Sequence, residues 1–126
     1  MKKILLLFMI VASLATMSCT KRVEGILREQ PDEISKKEAV KLLDCFNEQL
    51  TEAQTLLEKG DKRELELFLK SQEWELAERC HNKLIQLPPQ LTTELRIGEM
   101  EINFVEFVNA VIKTGIPLRE LPEQEN

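Results

Sequence analysis

The chain has no tyrosine, one tryptophan and five phenylalanines among its 126 residues. So few aromatic rings are lean material for a carbohydrate-stacking or paratope-like surface. Histidine occurs once, as His81, and no Cys-x-x-Cys pair is present. His81 and the adjacent Cys80 point about 100° apart on a helix and do not share a metal easily, so no zinc site is completed. No Gly-x-Ser-x-Gly elbow or serine motif accompanies the histidine. Positive charge is also scarce: the formal net charge is −5, with 17 Lys and Arg against 22 Asp and Glu. No basic patch with interleaved aromatics exists, which sets nucleic acid aside as a partner.

One long apolar run is present, and it opens the chain. Lys2 and Lys3 form a positive start, and Ile4 to Ala15 is apolar apart from Ser13. The run is shorter than the ~20 residues of a membrane-spanning helix. It reads as a signal peptide over 1–18, followed by Cys19. Two outcomes are open. Cleavage after Ala15 leaves Cys19 as an ordinary thiol; cleavage before Cys19 makes it the new N-terminus. The three cysteines, Cys19, Cys45 and Cys80, leave an odd thiol in an exported protein unless one is otherwise used.

The positive start, the apolar run and Ser18-Cys19 resemble the leader of bacterial lipoproteins. The resemblance covers only the leader. It implies a diacylglycerol on the Cys19 sulfur, a membrane partnership through that anchor, and residence in the cell envelope. It also implies no cofactor beyond the covalent lipid. In that class an aspartate after the cysteine often signals inner-membrane retention. Thr20 stands there instead, which implies the outer membrane, facing the periplasm.

Removing the leader leaves about 108 residues, the size of one domain. Residues 19–31 read as the lipidated N-terminus and a tether, with Val23, Ile26 and Leu27 able to dock on the body. Residues 32–121 read as an all-α domain, and 122–126 as a frayed acidic tail. Ser35 and Glu38 form a capping box. Ala39, Leu43, Phe46, Leu50, Ala53 and Leu57 then share one stripe at helical spacing until Gly60. The tight join predicts an antiparallel hairpin, about 35–59 and 62–87, with Asp61 and Glu64 capping the second arm. Ser71 offers a point of breakage. A third helix, about 93–113, is expected to be the most buried, ending at Gly115-Ile116-Pro117.

The second arm carries two opposed apolar stripes. Leu65, Leu69, Leu76, Cys80, Leu84 and Leu87 form one; Leu67, Trp74, His81 and Ile85 form the other. Leu67, Trp74 and Ile85 are therefore a candidate partner surface, unless the tether or C-terminal segment covers them. His81 reads as a partly exposed polar edge. Cys45 and Cys80 are the candidate disulfide pair, against a reading as two small buried residues. The carboxylates Glu73, Glu75, Glu78, Glu99, Glu101 and Glu106 fit solvated helix faces, and no catalytic set is visible. The function class that fits is a membrane-anchored binding or assembly module with an unknown envelope protein as partner. The alternatives are an inhibitor or immunity-type lipoprotein, and a carrier whose Met100, Phe104 and Phe107 line an apolar cavity.

Overall fold

Ser35 starts the longest helix by reciprocal capping: its hydroxyl accepts from the Glu38 N–H at 3.1 Å, and its own N–H donates to Glu38 Oε1 at 3.0 Å. Two orphan backbone donors are satisfied at once. The computed structural model describes residues 19–117. The predicted signal peptide 1–18, Leu118, Leu121 and the acidic tail 122–126 lie outside the described residues.

Residues 19–24 are helical (α1) and lead through short 3₁₀ turns at Ile26–Arg28 and Pro31–Glu33 into α2, Lys36–Lys59. Gly60 closes α2 at φ 76°, the left-handed geometry that glycine adopts without a Cβ penalty. Asp61 then accepts from the Glu64 N–H and starts α3, Lys62–Leu69. Ser71 ends that helix and begins α4, Gln72–Leu84. Its hydroxyl donates to the Phe68 carbonyl at 2.6 Å and accepts from the Trp74 N–H at 3.3 Å. Pro89 opens a short α5, Pro89–Glu94, and α6 runs Ile97–Thr114. Gly115 at φ 86° stops α6, and Ile116 folds back into the core.

The fold is a small all-α bundle built on the hairpin of α2 with α3 and α4, with α6 laid across it. The tightest pairing is α2 with α4. Among the described residues there is no strand, and no helix is long and apolar enough to cross a membrane.

Three readings of the sequence are resolved. First, the segment after Cys19 is docked on the body, the outcome that Val23, Ile26 and Leu27 allowed for. Val23, Ile26 and Leu27 are buried, Lys83 Nζ donates to the Glu29 carbonyl at 2.8 Å, and Arg22 pairs with Glu48. Apolar side chains at helical spacing gain more from burial than an extended linker would. Secondly, the third helix starts later than Thr93. Arg96 takes a left-handed conformation (φ 55°) and separates α5 from α6. Thirdly, α6 is not the most buried helix. Ile97, Met100, Phe104, Phe107 and Val111 face inward, but Ile102, Val105 and Ile112 are exposed. Among the described residues, Ile102, Val105 and Ile112 of α6 lie on a side that no other element covers.

Candidate functional site

The sulfur chemistry gathers at the N-terminal end of the described chain. Cys19 is bonded to Cys45, with Cα atoms 5.7 Å apart, while Cys80 is a free, buried thiol. This corrects the Cys45–Cys80 pairing. Cys45 belongs to a second buried row on α2, Leu42, Cys45 and Gln49, which lies beside the Ala39–Phe46–Leu50 stripe and widens the buried face of the helix. Cys19 and Arg22 of α1 lie against α2, at Cys45 and Glu48, so the partner for Cys45 comes from the N-terminal segment rather than from α4. The signal was available in the i, i+3, i+7 spacing of those three residues. Gln49 masked it, because a polar residue on the row reads as solvent-facing.

The bridge bears directly on the lipid expectation. One cysteine sulfur forms either a thioether to diacylglycerol or a disulfide. In this structure the Cys19 sulfur is held by Cys45, and the residue is fully buried. Burial pushes the remaining Cys80 thiol from its ordinary 9.0 up to about 12, because the thiolate loses its hydration; Arg79 offsets little of this. Cys80 is therefore a packing residue, not a poised nucleophile.

Trp74 corrects the candidate partner surface. It is only 3% exposed, whereas Leu67 is 61% and Ile85 46% exposed. The indole stacks on Phe104 at 6.2 Å and tilts against Phe107 at 5.5 Å and Phe68 at 6.0 Å. The break at Ser71 explains the change. It turns α4 relative to α3, so the second stripe does not continue as one line, and its middle members swing towards α6. Leu67 and Ile85 remain outside, separated by a buried core residue, and do not form one patch.

His81 is buried too, rather than lying at a polar edge. Its ring sits 4.3 Å from that of Phe104 and 5.8 Å from that of Phe46. Nε2 bonds Glu101 Oε1 across the α4–α6 contact. Glu101, read from sequence as a solvated carboxylate, satisfies the one polar edge that the ring presents there. The arrangement is an aromatic plate between α2, α4 and α6 with its polar atom tied to a carboxylate.

Among the described residues, no group of three or more His, Cys, Asp or Glu side chains could hold a metal ion. A cleft of about 260 Å³ lies between α1 and α4, lined by Thr20, Gln72, Glu73, Glu75, Leu76 and Arg79. It is charged and open to solvent, unlike an apolar carrier cavity. Phe104 and Phe107 are engaged with other rings instead of lining a hollow. No family model matches the chain, and neither curated proteins nor solved structures give a match.

Proposed function

We propose that this chain is an exported helical module that acts by binding a neighbour in the bacterial cell envelope. The observation that carries this reading is the Cys19–Cys45 bridge directly behind an export-type leader. Structural disulfides persist in oxidising compartments such as the periplasm and are rare where thioredoxin and glutathione keep thiols reduced. The burial of His81 and Cys80 supports binding rather than catalysis, since both have structural work. The acidic surface suits a basic protein partner and gives no hold on anionic lipid or nucleic acid.

A second reading is favoured by the position of Cys19 immediately after Ser18 at the end of the leader. There the Cys19 sulfur carries diacylglycerol, Cys45 is a buried thiol, and the acyl chains hold the module at the periplasmic face of the outer membrane. Tethering then raises its local concentration near a membrane-bound partner. The two forms differ in mass. Intact-mass analysis of the mature protein without reductant is expected to give a leader-free chain two hydrogens lighter than its reduced form, with no acyl adduct. A diacylglyceryl adduct selects the anchored form. A full-length, fully reduced chain removes export from both readings.

A further inference from the structure

Six large hydrophobic residues are exposed among the described residues, and three of them lie on α6: Ile102 at 58%, Val105 at 44% and Ile112 at 56%. Their spacing is informative. Gly98, Ile102, Val105, Asn109 and Ile112 follow one another at steps of four, three, four and three. That alternation matches the a/d spacing of a coiled-coil seam over two heptads, with Ile102 and Asn109 at a positions and Val105 and Ile112 at d positions. The seam lies on the side of α6 that the chain's own core does not use, since Met100, Phe104, Phe107 and Val111 face the other way.

The charges beside the seam select its occupant. Glu99, Glu106 and Lys113 line one flank, and all three are exposed. Glu99 and Lys113 have no ion pair within the described residues. In an antiparallel pair of α6 helices, Ile102 meets Ile112 of the second copy and Val105 meets Asn109. The same flanks then face each other across the two-fold axis, which brings Glu99 beside Lys113 of the other copy, twice. A parallel pair would instead set Glu101 against Glu106 on both sides, a like-charge contact. We propose that α6 is a self-association surface, on which a second copy of this chain packs antiparallel along Ile102, Val105, Asn109 and Ile112.

Asn109 on the seam lowers the affinity while fixing the register, so a weak, reversible dimer is expected. Glu106 near its own symmetry mate is the one unfavourable contact. The test is sedimentation equilibrium of the processed protein over a concentration series at physiological salt. The wild type is expected to form a dimer. Val105→Lys, a change at an exposed site, is expected to raise the dimer dissociation constant by more than about tenfold while leaving the helical circular dichroism unchanged. Ile112→Lys serves the same purpose if Val105→Lys disturbs folding. Glu99→Lys should weaken the dimer, and adding Lys113→Glu to it should restore the affinity. Glu106→Gln should tighten it. A wild type that is monomeric throughout the series overturns the proposal, as does a dimer indifferent to Val105→Lys and Ile112→Lys. So does dimerisation that appears only when residues 118–126 are removed, because the chain's own tail would then be the occupant.

Discussion

At the scale of single residues, Trp74, Leu67 and Ile85 show what burial decides. All three are apolar and share one helical phase in the sequence. Only Trp74 touches three other rings. Trp74→Ala is expected to cost about 3–5 kcal/mol of stability, whereas Leu67→Ala and Ile85→Ala should each stay within about 0.5 kcal/mol, read by urea denaturation. Cys80 gives a pH dependence with a defined sign. Its folded pKa is raised to about 12 from 9.0, so the unfolded chain releases the proton first. The stability this group contributes is complete below pH 9 and is lost as pH rises towards 12. Between pH 8 and 10 the folded protein should lose about 1 kcal/mol that Cys80→Ala does not lose. The same burial should keep the thiol unalkylated at pH 8 until denaturant is added.

At the scale of elements, the ends of helices were the most legible part of the sequence. Ser35 with Glu38, Asp61 with Glu64, and the glycines at 60 and 115 act on backbone groups within four residues of themselves. Their effect does not depend on the rest of the fold. Gly60→Ala places a Cβ on a left-handed backbone and is expected to cost about 1 kcal/mol in thermal unfolding. Arg96→Gly should have the opposite sign, because Arg96 already bears that cost at φ 55°. Arg96 was not legible. Nothing in Leu95-Arg96-Ile97 marks a helix boundary, since its left-handed turn is imposed by how α5 and α6 must pack. The consequence of the Ser71 break was half legible: the cap could be read, but the rotation that buries Trp74 and His81 depends on the position of α6. The Cys19–Cys45 pairing was illegible for a similar reason. Cysteine parity says how many sulfurs pair and never which ones; the choice rests on the docking of residues 19–27.

At the scale of the whole molecule, the N-terminal segment, the hairpin and α6 share one core. Phe46, His81 and Phe104 meet at its centre from three different helices. The bridge fastens the first of these parts to the hairpin. Cys45→Ser, or reduction of the wild type, is expected to lower stability by about 3.5 kcal/mol, the chain-entropy value for a loop of 26 residues. Reductant should then have no further effect on the variant, which denaturation with and without dithiothreitol checks. The bridge has a mechanical consequence as well. Tension applied to the mature chain at Cys19 bypasses the backbone of residues 20–44 and enters α2 at Cys45, partway along the helix, not at its start. With the bond intact, about 90 Å of contour, at ~3.5 Å per residue, is withheld from any extension. The capping box at Ser35 lies inside that shielded loop, so a pull from the N-terminal side loads the middle of the longest helix and spares its capped end.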